Sequence, residues 1–435
     1  MATIVLMPFH WAANLNSVFA LSRSLQERGH RLYYLCVEDS EDRIRSQGFE
    51  FVPIFSRVLP KGTMPEQYAN EARGKYLGAA GFKARVQGMC DLLREGELDK
   101  RVSEIGPDLF LIASATPWVG IAAKRTGVPV INFSSSLISV WDPAVPPFET
   151  GLIPDQKILS RVKTALAWRA LFSLRALTDL GPGISNDLKE LARACDYPLN
   201  KIDFKVETWP RLSLPELVFC PKEFDFPRSR TPDGAYFVEP SIDMQRRDVD
   251  FPWGRLPDGK PIIYCSLGSV ATFKYVRRAA RFFRIFMEAM ARRPHLQGVV
   301  PIGSYIKADD FNCPENVVLV PEAPQLELLK RASLMVSHGG FSGVKESIFM
   351  GVPMVVVPMF YDQPGNAARV VYHKLGVRGR MKDMSAIELG RLMDVVLEDH
   401  SYSTRMELMS RRFVELQRQA PSVDVIERAL AGKIP

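Results

Sequence analysis

The feature that most constrains this chain is a recurrence. Short apolar runs alternate with longer stretches of helical periodicity, and the whole alternation occurs twice. In the first half the apolar runs are TIVLMP (3–8), LYYLCV (32–37), FEFVPI (49–54), DLFLIA (108–113) and PVINF (129–133). Continuous apolar runs of this length suit strands covered on both faces, as in a parallel sheet. Between the first two, Leu15, Val18, Phe19, Leu21 and Leu25 recur at helical spacing, and Gly29 supplies a stop. The second half starts again with PIIYCSLGS (261–269) and continues through QGVVPI (297–302), NVVLVP (316–321), SLMVSH (333–338) and PMVVVP (353–358). Two doubly wound α/β units follow from this order. At 435 residues the chain exceeds one ordinary core. The expected division is a first unit over 1–220, a Pro/Asp/Arg-dense linker over 221–260, and a second unit over 261–400. Helices over 401–435 are expected to pack back toward the first unit. The fold class is therefore two Rossmann-like domains facing a central cleft.

Composition narrows the partners. Hydrophobic residues at 46% and charged residues at 24% exclude a disordered chain. The net charge of +7 suits an anionic ligand or an anionic membrane face. No dense Lys/Arg stripe or recognition motif points to nucleic acid. Six cysteines, at 36, 90, 195, 220, 265 and 313, form no CxxC pair, which favours free thiols in a reducing compartment over a disulfide frame or a zinc site. The opening MATIVLMPF lacks a basic n-region and reads as a strand, not a signal peptide. No run approaches the roughly 20 apolar residues of a membrane span, so a cytoplasmic protein is expected. KILSRVKTALAWRALFSLRAL (157–177) has two readings. One is a packed helix with a solvated basic face; the other is a peripheral contact with a membrane or a lipid-like acceptor.

The most informative run is SLMVSHGGFSGVKESIFMGVPMVVVPMFYDQPGNAARV (333–370). A strand ends at His338, Gly339 and Gly340 turn the chain, and a helix starts near Ser342 and runs to Met350. A Gly-Gly turn into a helix N-terminus offers free amides to an anion such as a diphosphate. Glu346, one turn further, can accept from ribose hydroxyls. Asp362 and Gln363 follow the next strand, where a carboxylate and an amide can hold sugar hydroxyls. The plain alternatives are a Gly-Gly turn with a surface His, and a capping pair.

PQLELL (324–329), SHGGFSGVKES (337–347), GVPMVVVP (351–358) and DQPGNAARV (362–370) resemble the family-1 nucleotide-sugar glycosyltransferases in order and spacing. That family includes plant secondary-metabolite, macrolide and carotenoid glycosyltransferases. LSRSLQERGH (21–30) and CSLGS (265–269) extend the resemblance over the chain. It implies a GT-B fold and metal-independent, inverting transfer of a hexose or deoxyhexose. The donor would be a UDP- or dTDP-sugar, the acceptor an apolar small molecule, and no resident cofactor would be needed. It implies Gln325 near the base, Gly268 and Ser269 along the donor cleft, and His338, Gly340 and Ser342 on the diphosphate. Glu346 would take the ribose, and Asp362 with Gln363 the transferred sugar. Two positions depart from the family. Ser342-Gly343 replaces the usual Asn-Ser or Asn-Thr, and Glu322 stands where plant members stack an aromatic on the base. DVD (248–250) matches the metal-binding DxD of the other glycosyltransferase fold but lies in the linker.

The catalytic base is the open position. Alignment of motifs places the family's His on Asn14 and its Asp on Ala113, and neither can take a proton. Three readings stand. His10 in the same turn replaces the base; or Asp142 does, with Glu149 behind it; or the acceptor is already acidic and needs none. Asn14 and Trp141 are candidate acceptor contacts. Two other functions fit the scaffold: a nucleotide-sugar epimerase, separable by products formed without acceptor, and a non-catalytic sugar-nucleotide binder, separable by donor hydrolysis.

Overall fold

The computed structural model describes residues 1–155, 157–178 and 183–434. Its first sheet contains β1 (Thr3–Met7), β2 (Arg31–Cys36), β3 (Glu50–Pro53), β4 (Leu109–Ala113), β5 (Val130–Ser134), β8 (Glu216–Val218) and β9 (Ala235–Phe237). The order is β3-β2-β1-β4-β5-β8-β9 and every pairing is parallel. Two short strands, β6 (Ile202–Asp203) and β7 (Arg211–Leu212), form a separate antiparallel pair. The second sheet contains β10 (Ile262–Ser266), β11 (Gln297–Pro301), β12 (Val317–Val320), β13 (Ala332–Ser337), β14 (Met354–Val356) and β15 (Gly376–Arg378). Its order is β12-β11-β10-β13-β14-β15, again all parallel.

The strand runs read from the sequence are these strands, and burial explains them. Ile4, Val5 and Leu6 of β1 and Leu109 to Ile112 of β4 are almost wholly buried, because helices cover both sheet faces. Each such side chain contributes about 1.5–3 kcal/mol on burial. In the second unit the helix Val276–Ala291 buries Phe282, Phe283, Phe286 and Met290 and leaves Arg277, Arg281 and Arg284 in solvent. In both sheets the order reverses beside the first strand, at β1/β4 and β10/β13. Crevices at the carboxyl ends of strands open at such points.

Between the lobes the packing is both apolar and polar: Phe224 meets the rings of Phe341 and Phe413 within a buried cluster that also holds Phe148, Val218, Val344 and Val356. Within the stretch expected as a linker, Ala235–Phe237 adds to the first sheet as edge strand β9; three residues are too few to show a periodicity. Lys345, on the helix Phe341–Phe349, is buried and donates to the carbonyls of Phe219 and Pro240, both at 2.9 Å. Arg369 is buried between the rings of Phe148 and Phe226, each 4.4 Å from its guanidinium carbon, and pairs with Asp225. The helix His400–Gln419 packs on Phe341–Phe349. The chain then turns at Ala420 (φ 47°), and Pro421–Leu430 lies against Ala12–Glu27, with Val423, Val425 and Ile426 joining the first lobe's core.

Candidate functional site

On the second lobe, β10 and β13 lie side by side and end at the same level, Ser266 pairing with Ser337. Each is followed by a glycine turn and a helix. Gly268 has φ 69°, and a Cβ there would sit 2.9 Å from the His338 ring; one on Gly340 would come within 2.6 Å of His338 Nε2. The imidazole thus lies across the two turns in a slot that only glycines leave open. The helix Phe341–Phe349 begins at Gly340 with no side-chain cap, so its first-turn amides are free for an anion. Ser342 stands in that turn. His338 Nδ1 is buried without a protein partner. Burial lowers the His338 pKa to about 4, against hydrogen bonding to the Ser266 backbone, which raises it. Ser269 is exposed at the start of the neighbouring helix, Gly268–Lys274. Gly268, Ser269, His338, Gly339, Gly340 and Ser342 therefore form one rim.

Gln325 and Glu346 also meet, but they are engaged with protein groups. Gln325 Oε1 accepts from the Tyr264 hydroxyl at 3.1 Å, and its amide donates to Glu346. The other Glu346 oxygen takes Arg246 Nη1 at 3.1 Å, and Arg246 also pairs with Asp248 of the DVD run. A ribose at Glu346 would share that carboxylate with Arg246.

A cavity of about 860 Å³ occupies the first lobe and reaches the second at Tyr361 and Asp362. Its walls are largely apolar, with Phe82, Trp118, Phe133, Phe148 and Trp209 among them. His10, Asn14, Ala113, Ser135 and Ser136 all line it. Asn14 Nδ2 donates to Ser135 Oγ at 2.7 Å, and the next residue, Ser136, donates through Oγ to Asp362 Oδ2 at 3.5 Å. The position matching the family's base and the carboxylate matching its sugar contact are thus joined through two adjacent serines. Asp362 also accepts from Asn366 Nδ2 at 3.0 Å, and burial raises its pKa. His10 packs against Phe9 with ring centroids 4.4 Å apart and has no hydrogen-bond partner among the described residues. Burial lowers its pKa to about 4; Arg85 adds to the shift and Asp39 opposes it. Asp39 does not orient the ring, since its oxygens hold the amides of Gly62 at 2.6 Å and Met64 at 2.8 Å. The imidazole is neutral at pH 7 and free to accept a proton.

Three expected site residues are placed elsewhere. Asp142 is buried outside the cavity: Oδ1 accepts from Ala144 N at 2.7 Å, and Oδ2 from Ser229 N at 3.1 Å and Ser229 Oγ at 2.9 Å. It fixes the turn at Pro143, the usual task of an Asp before Pro. Trp141, beside it, is 55% exposed and does not line the cavity. Gln363 is buried, and its Oε1 braces the preceding loop by accepting from Met359 N at 2.9 Å and Phe360 N at 3.0 Å. Glu149 does line the rim, paired with Arg175 at 3.2 Å.

Residues 253–419 match the family model described as UDP-glucoronosyl and UDP-glucosyl transferase. The demethyllactenocin mycarosyltransferase of Streptomyces fradiae is 26% identical over 99% of this chain and 87% of its own length. The zeaxanthin glucosyltransferase of Pantoea ananas is 23% identical over 98% of this chain and 95% of its own. The chain is a glycosyltransferase, similar over nearly its whole length to these enzymes and over residues 253–419 to the family model. The crystal structure of the glycotransferase of kitacinnamycin superposes with a TM-score of 0.70 at 23% identity, covering 100% of this chain and 99% of that one. The two facing lobes are the GT-B fold.

Several cleft groups of this glycosyltransferase escaped the sequence. Arg246 lay in a stretch read as linker, and only its ion pair with Glu346 reveals it. Ser136 sits in a serine run whose geometry had no periodic signal. The cleft is also held shut at one end. Tyr68, on the helix Thr63–Ala72, stacks on Phe273 with ring centroids 4.1 Å apart, and the Tyr76 hydroxyl donates to the Lys274 carbonyl at 3.0 Å. Lys274 Nζ in turn reaches the Tyr361 hydroxyl at 3.2 Å. Aromatic contacts across 200 residues of sequence leave no local pattern to read.

Proposed function

We propose that this enzyme transfers a hexose or deoxyhexose, with inversion and without a metal, from a UDP- or dTDP-sugar to a hydroxyl of an apolar small molecule. The unit 261–400 holds the donor and the unit 1–220 the acceptor, with helices 401–435 tying them together. The nucleotide lies toward Gln325 and Glu346. Its diphosphate rests on the first-turn amides of Phe341–Phe349 beside His338 and Ser342, and Asp362 holds the sugar. The acceptor fills the cavity beside Asn14. His10 takes the hydroxyl proton as the acceptor oxygen bonds to the anomeric carbon, and the bond to the diphosphate oxygen breaks on the opposite face. One in-line displacement inverts the anomeric centre. Negative charge growing on the diphosphate meets the helix amides and His338, arranged before the reaction begins.

The observation that carries this reading is the Asn14–Ser135 and Ser136–Asp362 pair of contacts, which brings the acceptor cavity to the sugar carboxylate. Two relatives, named for zeaxanthin and demethyllactenocin, support an apolar natural-product acceptor. The test is mass spectrometry of the protein incubated with UDP- and dTDP-sugars and a panel of hydroxylated apolar acceptors. An acceptor gaining one sugar residue, of inverted anomeric configuration, is the expected product. Isomerised donor in the absence of acceptor would instead mark an epimerase. Donor bound but never consumed would mark a non-catalytic binder.

A further inference from the structure

The helix Ile158–Thr178 has apolar residues on two opposite faces. One face is buried: Thr164, Trp168 and Leu171 pack into the first lobe, and Trp168 Nε1 donates to the Val145 carbonyl at 2.8 Å. Among the described residues the other face is not covered. Ile158, Leu159, Val162, Leu166 and Leu177 are between 48% and 86% exposed. At about 100° per residue these five fall within roughly 100° of one another around the axis, opposite Trp168, in a stripe about 28 Å long. Arg161 and Lys163 stand on either side of the stripe, Arg169 within it and Lys157 at its start, all exposed. Residues 157–177 contain no Asp or Glu.

We propose that this face docks on an anionic phospholipid surface, lying in the interface with its leucine-rich stripe among the acyl chains and its cations among the headgroups. Five large exposed aliphatic side chains in one line are more than scattered surface hydrophobics. The charge selects the occupant. A second copy docking through the same face would set one cluster of cations against another, with no carboxylate on the helix itself to pair them. A bilayer bearing anionic lipid satisfies both the apolar stripe and its basic margins. No helix among the described residues is long and apolar enough to cross a membrane, so the contact is with one leaflet. The same helix also borders the acceptor cavity, but through Arg175 on the Trp168 side and not through the exposed stripe. The docking does not rest on the proposed transferase reading, since it is measured without substrates.

The full-length protein is sedimented with vesicles of phosphatidylcholine alone and with vesicles also containing phosphatidylglycerol. Binding to the anionic vesicles only is expected, weakening as salt rises from ~50 to ~500 mM. Val162→Glu/Leu166→Glu is expected to weaken binding at least ~10-fold. Arg161→Ser/Lys163→Ser should weaken it about 25-fold, each near-surface cation being worth about a factor of five. Both pairs point outward and leave Trp168 in place; should the first fail to fold, the second carries the test. Wild-type protein left in the supernatant by anionic vesicles would overturn the proposal, as would variants that bind like wild type. A dimer in sedimentation equilibrium that the first variant abolishes, with no vesicle binding, would overturn it too and assign the face to self-association.

Discussion

The most discriminating perturbation is pH at the diphosphate turn. In the free protein burial holds His338 at about 4 from an ordinary 6.5, so its ring is neutral at pH 7 with Nδ1 unpartnered. A diphosphate seated on the first turn of Phe341–Phe349 supplies the missing partner and a negative charge, and both favour imidazolium. If the complex restores the ordinary 6.5, donor binding takes up a proton. Protonation then favours the complex, so affinity rises as pH falls through the pKa of the complex and levels off below that of the free protein. Between pH 8 and pH 5.5 the gain is about 10-fold, and its acid limit is about 3 kcal/mol. Calorimetry of a nucleotide sugar, whose diphosphate does not titrate in this range, in buffers of differing ionisation enthalpy reads both affinity and proton uptake. His338→Gln should bind more weakly and show neither effect. A wild-type affinity that is flat from pH 8 to 5.5, with no proton taken up, would refute the placement of the diphosphate against this ring.

The remaining expectations concern the cavity and the joint between lobes. His10→Ala should lower turnover ~10²–10⁴-fold; since burial puts His10 at about 4, the wild-type rate should stay level from pH 8 down to 5.5 and fall only as the pH nears 4, and a variant of near-normal rate would move the choice to an acceptor that is acidic already. Asp142→Asn should cost about 1–2 kcal/mol in urea unfolding through its contacts with Ala144 and Ser229 while leaving turnover within about 2-fold; a collapse of turnover in a stable variant would return Asp142 to the chemistry. Asp362→Asn should change kcat/KM among donor sugars yet leave affinity for the free nucleoside diphosphate within about 2-fold, and equal loss of both would remove its sugar contact. Lys345→Met, which strands the carbonyls of Phe219 and Pro240, should lower stability by about 2–4 kcal/mol, and an unchanged urea midpoint would deny it a part in joining the lobes.

The long-range order of this fold was legible because it is carried by the residues that announce it. Ile4 to Leu6, Leu109 to Ile112 and Val355 to Val357 are apolar without interruption because helices cover both faces, and that run needs no partner to be recognised. The glycine-turn rim proposed for the donor was legible as local structure for a related reason. Gly268, Gly339, His338 and Ser342 belong to two strand–turn–helix units whose physics is local, and a glycine turn into a helix is visible in a dozen residues. Legibility failed where side chains report on distant chain. Asp142 and Gln363 have the chemistry of a site and spend it on loops, Asp142 on Ser229 and Gln363 on the amides of Met359 and Phe360. Arg246 does the reverse: it lies in an unpatterned stretch and reaches the carboxylate assigned to ribose.

The replaced dyad shows the same division at its sharpest. Asn14 and Ala113 both line the cavity, so the wall that would carry a His and its orienting Asp is intact while its basicity is gone. Asn14 donates a hydrogen bond to Ser135, which fixes the serine pair next to Asp362; in the proposed reaction that contact would hold acceptor and sugar in register. Among the described residues His10 is the only histidine lining the cavity, and it needs no conformational change to face an acceptor there. Its low basicity is the consequence of that placement. A base near 4 removes a proton only late, as the acceptor oxygen loses electron density to the anomeric carbon. If His10 is the base, the arrangement favours acceptors whose hydroxyl is itself acidic, a phenol over an alkanol. Rates across a series of phenols of falling pKa should then rise in the wild type. They should converge with those of His10→Ala at the acidic end, where the nucleophile no longer needs help. A gap between the two that stays constant along the series would mean the histidine acts on something other than that proton.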